Sequence, residues 1–156
     1  MSKLISLSKG KYVLVDDDDF EWLNQYKWYF HRSGYATRGY RINKAVKMVL
    51  MHREILKPPQ YLETDHINGN KLDNRRINLR IATTQQNQFN RGNPINNTSG
   101  YKGVDWNKQI KRWRATMYIN GKPIHLGYFD KKTDAAIAYN QLAGEVQGEF
   151  SRLNIL

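Results

Sequence analysis

The stretch that most constrains this chain is an alternating run followed by a turn. Along Arg112–Ile119, Trp113, Ala115, Met117 and Ile119 fall on one side, and Arg112, Arg114, Thr116 and Tyr118 on the other. A period of two is that of a half-buried strand, whereas a helix repeats its apolar residues three and four apart. Asn120-Gly121 follows directly, and that dipeptide suits the left-handed backbone of a two-residue hairpin turn. Folding about it sets Met117 against Ile124, Ala115 against Leu126 and Trp113 against Tyr128, with Thr116 opposite His125 on the polar side. A lone hairpin is unstable in water, so the pattern asks for a third strand, expected at 101–106, and for a covering element. That element lies downstream, where Ala135, Ala138, Tyr139, Leu142, Ala143 and Val146 recur at helical spacing. Asp130 or Thr133 is its expected cap. Alanines let the helix approach the apolar face closely, which leaves Arg112, Arg114, Tyr118 and His125 pointing outward.

A polar, turn-rich run from Arg91 to Gly100 separates this pattern from the rest of the chain and reads as a linker. Both sides of it are basic: residues 1–90 hold 15 Lys and Arg against 9 Asp and Glu, and residues 91–156 hold 10 against 5. Four Trp, ten Tyr and five Phe argue for folded units rather than a charged disordered tail. Two basic folded units imply a polyanionic partner touched twice. The absence of cysteine excludes a disulfide framework and every thiolate metal site. No apolar run approaches the roughly 20 residues that cross a bilayer, and no leader is evident, so a cytoplasmic protein without a membrane partner is expected.

Several segments of the C-terminal part occur together in one known family. They are Ser99-Gly100-Tyr101-Lys102-Gly103-Val104, Trp113-Arg114-Ala115, Leu126-Gly127-Tyr128-Phe129-Asp130, Ala135-Ala136-Ile137-Ala138-Tyr139-Asn140 and Leu153-Asn154. Over about 99–155 the chain thereby resembles the Apetala-two/ethylene-response-factor DNA-binding domain. The resemblance implies a three-stranded antiparallel sheet packed on one helix, with the sheet lying in the major groove of double-stranded DNA. It puts Lys102, Thr116, Tyr118 and His125 at contact positions. Arg112 and Arg114 are residues of the type that reads guanine edges from a rigid strand. Asp105 and Asn107 stand where plant members carry arginines, so the GC-rich target of those members does not carry over.

In the N-terminal part, strands are expected at 11–15 and 35–41. Asp16-Asp17-Asp18-Asp19 opens a helix whose positive end those carboxylates stabilise and cap, a cation site being the other reading. Residues 44–56 form a strand or a helix, ended by Pro58-Pro59. A strand at 61–67 then presents Asp65 and His66 side by side, and the Asn- and Gly-rich run to Asn78 turns back through Leu79–Ala82. Thr83 or Thr84 caps a short helix that carries Asn87 towards Asp65. Two oxygen donors of this kind suit a hard divalent cation, Mg²⁺ first and Mn²⁺ second. Arg75, Arg76 and Arg80 either clamp neighbouring phosphates or form a solvated basic face.

The run from Asp65 to Leu79, with the later Asn87, resembles the HNH endonuclease family in its phage homing branch, over roughly 47–90. The resemblance implies a ββα-metal nuclease in which His66 is the general base on water and Asn78 braces the loop that orients it. Asp65 and Asn87 would bind the metal. His52 matches a recurrent family position and serves either there or in packing. The expected chain is therefore α+β: a nuclease domain at 1–90 with its motif core at 47–90, a linker at 91–98, and a DNA-binding domain at 99–156. Residues 1–46 supply accessory strands and a helix. An HNH unit beside an Apetala-two-type domain is a familiar pairing in phage mobile endonucleases. The function expected is metal-dependent, site-directed hydrolysis of one DNA strand in a bacterial host cell. The enzyme would act as a monomer or weak dimer with no protein partner. A DNA-binding regulator with a decayed nuclease unit is the main alternative, and an RNA binder the next.

Overall fold

In the computed structural model, which describes all 156 residues, the chain divides into two units, Met1–Thr84 and Gln85–Leu156. The first opens with an antiparallel hairpin of Ser2–Ser6 (β1) and Tyr12–Asp16 (β2). Alternation buries Ile5, Val13 and Val15 while Leu4 and Tyr12 remain exposed. Asp17, Asp18 and Asp19 occupy the first turn of helix Asp17–Asn24 (α1), where the helix dipole favours negative charge. Asp16 is the N-cap residue, but its side chain makes no capping bond. Its Oδ2 accepts the Arg76 backbone N–H at 2.7 Å instead, and buried Asp19 receives the Arg76 guanidinium at 2.7 and 2.8 Å. The acidic run thus starts a helix and anchors an arginine sixty residues away.

Tyr29–Phe30 (β3), Ala36–Ile42 (β4) and Ala45–Leu50 (β5) form a three-stranded antiparallel sheet in the order β3-β4-β5. Residues 44–56 are both strand and helix, since β5 runs directly into Met51–Leu56 (α2). Lys57 ends that helix in a left-handed conformation, its N–H bonded to the Arg53 carbonyl, and Pro58 follows. Glu63–His66 (β6) pairs antiparallel with Leu79–Ala82 (β7). Leu23, Trp28, Met51, Ile55 and Leu79 join the inner face of the first hairpin in one core. Trp28 fits there because its indole N–H reaches the Leu23 carbonyl at 2.8 Å.

After Thr84–Phe89 (α3), the second unit contains Val104–Asn107 (β8), Arg112–Ile119 (β9) and Lys122–Phe129 (β10), antiparallel in the order β10-β9-β8. Helix Lys132–Gln147 (α4) covers one face through Ala135, Ala136, Tyr139 and Ala143. Its N-cap is Lys131 with no side-chain capping bond, and Asp130 faces Arg112 at 2.9 Å rather than the helix. The buried stripe ends on Gln147, whose amide reaches the Met117 sulfur at 3.3 Å, while Val146 is exposed.

The hairpin register departs from simple alternation at one point. Met117 pairs with Ile124 and Thr116 with His125, as the Asn-Gly turn requires. Beyond His125 the register shifts, so Ala115 faces Gly127, Arg114 faces Tyr128 and Trp113 faces Phe129. Leu126 is the extra residue of a bulge, and Gly127 (φ +132°) supplies the backbone it needs. The bulge keeps Leu126 in the core and turns Tyr128 to the outer face, with its ring 4.5 Å from that of His125. Asn140 and Asn154 exchange two hydrogen bonds at 2.8 and 2.9 Å, and Asn154 also accepts the Lys102 N–H at 2.6 Å. These bonds explain why the terminal Leu153-Asn154 belongs to the C-terminal pattern. No helix is long and apolar enough to cross a membrane.

Candidate active site

The hairpin of β6 and β7 carries a twelve-residue loop, 67–78, between His66 and Leu79. The side chains of Asn68, Asn70, Asp73 and Asn78 replace the missing ladder, each bonding backbone groups within the loop. Asn78 is central: its Nδ2 donates to the Asp73 carbonyl at 2.7 Å and its Oδ1 accepts the Asn68 N–H at 3.0 Å. Asn68 donates to Asp73 at 3.0 Å, and Asp73 receives the Arg75 fork at 2.7 and 2.8 Å. That guanidinium holds the Asp73 carboxyl below the usual carboxylate range. Leu14 N–H to Leu72 O and Asn74 N–H to Leu14 O, both 2.8 Å, stitch the loop to β2.

This scaffold presents His66, only 5% exposed, at the end of β6. Its Nε2 lies 2.8 Å from Oδ1 of Asn74, which has no exposed surface at all. With the Asn74 amide oriented so that its oxygen accepts, the proton is assigned to Nε2 and Nδ1 is the basic nitrogen. Burial pushes the imidazole below its ordinary pKa, and Asn74, Asp65 and Asp73 oppose that shift. Sequence reasoning missed Asn74, although its place in an Asn-rich loop made it one of several equivalent candidates. His52 and Tyr35 complete an aromatic cluster: the His52 ring meets His66 edge-on at 4.9 Å, and the Tyr35 ring lies 4.9 Å from His52 and 5.8 Å from His66.

His52 is 4% exposed, and its pKa is pushed down to about 3 by burial first and then by His66 and Arg53. In the unfolded chain it returns to about 6.5. The unfolded state therefore binds the extra proton, so this contribution to stability is complete above about pH 6.5 and is lost as pH falls towards 3. At pH 5 the loss from this group alone is about 2 kcal/mol. Urea midpoints at pH 7.5 and pH 5 should differ more for the wild type than for His52→Gln. Equal differences would show that His52 is not held neutral by the fold.

Asp65, also 4% exposed, is paired with Arg80 at 2.8 Å, the two residues facing each other across β6 and β7. Arg80 has only 12% of its side chain exposed. It is thus committed to the site rather than offered to distant phosphates. Arg75 and Arg76 are more open, at 36% and 54%, although each is bound to an aspartate. The chemistry of the donors fits a hard cation, since Asp65 is a carboxylate beside the candidate base. No three His, Cys, Asp or Glu side chains converge, so amide oxygen, water and phosphate would have to complete a coordination shell there. Asn87 lies on α3 in the second unit. The hydroxyl of Thr84 donates to Glu63 at 2.9 Å.

In the second unit the outer sheet face gathers Arg114, Thr116, Tyr118, His125 and Tyr128 along a groove of about 700 Å³. Arg114 forms a double hydrogen bond with Asp105 at 2.9 and 3.2 Å, and Arg112 pairs with Asp130 at 2.9 Å. Lys102 donates to the Phe89 carbonyl, and burial followed by the nearby Arg152 brings its pKa down to about 8. Of the six expected contacts, Lys102 is therefore the least available to a phosphate. Tyr128 joins the face only because of the bulge, which the glycine within a strand pattern signals.

The comparisons with known proteins agree with the N-terminal geometry. A sequence profile of the family described as HNH endonuclease matches residues 58–89, the segment holding Asp65, His66, Asn74 and Asn78. An uncharacterized HNH endonuclease, L560, of Acanthamoeba polyphaga mimivirus is 33% identical over 153 residues, covering 97% of this chain and 79% of that protein. Protein 3.8 of Escherichia phage T7 is 36% identical over 94 residues, covering 60% of this chain and 77% of that protein. No solved structure matches. The chain belongs to the HNH endonuclease family. It is a DNA endonuclease, a hydrolase of a family whose members generally use a divalent metal ion.

Proposed function

We propose that this protein is a metal-dependent, site-directed endonuclease that nicks double-stranded DNA and is guided by its C-terminal unit. The observation that carries the reading is the His66 imidazole, buried, depressed in pKa, and held by Asn74 beside Asp65. A base that is neutral at neutral pH accepts a proton from water as the oxygen attacks phosphorus and the bond to the 3′ oxygen breaks. His66 performs that step through Nδ1, and Asn78 braces the loop behind it. Asp65 would hold the cation, Mg²⁺ first; Asn87, the second donor that the family resemblance assigns, belongs to the other unit. Such an ion supplies charge stabilisation at the phosphate and the leaving oxygen. Arg80 holds the Asp65 carboxylate in place across the two strands. Arg75 and Arg76 flank the loop as phosphate contacts.

The Apetala-two-type reading of the second unit is supported by its strand order, its alanine-lined helix and the Asn154 lock. Arg112, Arg114, Thr116, Tyr118 and His125 would meet the major groove. Asp105 presets the Arg114 fork, so a guanine contact requires sharing or exchange of that pair. Asp65→Ala provides the test. Cleavage should fall steeply at low Mg²⁺ and recover partly as Mg²⁺ is raised, while DNA affinity measured with chelator stays unchanged. A variant with the wild-type response to Mg²⁺ would remove Asp65 from the metal site.

A further inference from the structure

The ribbon of β4 and β5 leaves the active site and returns to it. Tyr35, immediately before β4, packs 5.8 Å from the His66 ring, and His52, two residues after β5, packs 4.9 Å from it. Between these anchors, every residue from 39 to 48 is exposed. Register places Arg41, Val46 and Met48 on one face and Tyr40, Ile42 and Lys47 on the other. Val46 is 62% exposed, Met48 57% and Ile42 40%, so both faces carry uncovered apolar groups. A shallow groove of about 430 Å³ runs over Tyr29, Gly39, Val46 and Met48. Two strands with water on both sides do not stabilise themselves. Residues 36–50 contain four basic side chains and no acidic one. Arg38 is spent inside the protein, on Glu54 at 2.9 Å and over the Tyr26 ring. Arg41, Lys44 and Lys47 stand outward.

We propose that this ribbon is a DNA-holding element, entering a groove of the duplex beside the phosphodiester whose attacking water His66 would deprotonate. Arg41, Lys44 and Lys47 would meet phosphates, and Val46 and Met48 would lie against the groove wall. The inference rests on the reading of His66 as the nuclease centre. Duplex DNA is the occupant favoured by the charge, because a basic ribbon without a single carboxylate repels a second copy of itself and attracts a polyanion. The shape agrees, since the major groove admits a two-stranded ribbon. The reach agrees too: the exposed part of β4, residues 39–42, extends about 13 Å at roughly 3.3 Å each, some four base steps along a duplex.

The test uses the full chain and a random-sequence duplex in chelator, with affinity measured by fluorescence anisotropy across salt concentrations. The triple variant Arg41→Gln/Lys44→Gln/Lys47→Gln should lower the slope of log K against log salt by about 2–3, at roughly 0.9 per phosphate contact. Lys44→Gln alone, at the exposed turn, should lower it by about 1. Val46→Ser/Met48→Ser should weaken binding without changing the slope. Unchanged slopes in folded triple and single variants would overturn the proposal. So would a shift from dimer to monomer in sedimentation with the slope intact, which assigns the ribbon to a second copy. Wild-type cleavage of plasmid with Mg²⁺ is measured alongside. Its absence refutes the nuclease reading, whereas cleavage with unchanged slopes refutes the ribbon alone.

Discussion

His66→Ala lowers DNA cleavage by about 10²–10⁴-fold, the usual cost of losing a positioned general base. The pH dependence of the wild type provides a second readout. Burial depresses the His66 pKa, so the neutral, active form persists to lower pH than for a free imidazole. The wild-type rate should rise with pH through a midpoint below about 6.5 and then level off. His66→Ala should lack that rise, and its DNA affinity in chelator should equal that of the wild type. Cleavage by His66→Ala at the wild-type rate would remove the HNH chemistry from this residue. A midpoint well above 6.5 would show that Asp65 and Asp73 outweigh burial.

Gly103→Ala destabilises the second unit by about 2–5 kcal/mol, combining left-handed strain with overpacking. Gly103 has φ +72°, and a Cβ there would stand 2.2 Å from a Tyr139 ring carbon and 2.7 Å from the Thr116 carbonyl oxygen. Tyr139 is buried in the core between sheet and helix, and the Thr116 N–H bonds Gly103 O at 2.8 Å, so neither neighbour gives way cheaply. Gly121→Ala is the matched control: its φ is +74°, yet nothing lies within 4 Å of its Cβ position. It should cost only the backbone share, about 1–2 kcal/mol. Chemical unfolding of both variants measures the difference, and equal losses would contradict the close packing of Gly103 against Tyr139.

Local patterns made part of this molecule legible and left other parts dark for physical reasons. The β9 strand and its Asn-Gly turn follow from alternation and backbone preference, which are properties of neighbouring residues. The bulge at Leu126 does not, because an extra residue reverses the alternation beyond it, and only Gly127 marks the place. Asp65 and His66 stand out through their spacing, and Asn78 through the family resemblance. The pairing of Asp65 with Arg80 depends on cross-strand register, and the bond from Asn74 to His66 depends on how a long loop folds back. The anchoring of Arg76 by Asp16 and Asp19 spans about sixty residues and left no local trace. The β4–β5 ribbon was legible as a strand at 35–41 and a strand or helix at 44–56, but its exposure on both faces was not, since no apolar period marks which side meets water.

The most direct test incubates purified wild-type protein and His66→Ala with supercoiled plasmid, each with Mg²⁺ and each with chelator. The wild type with Mg²⁺ should convert the plasmid to open circles, and the other three samples should leave it supercoiled within the same time. Plasmid that is retarded but intact in the wild-type sample with Mg²⁺, or nicked equally by His66→Ala, would contradict the account.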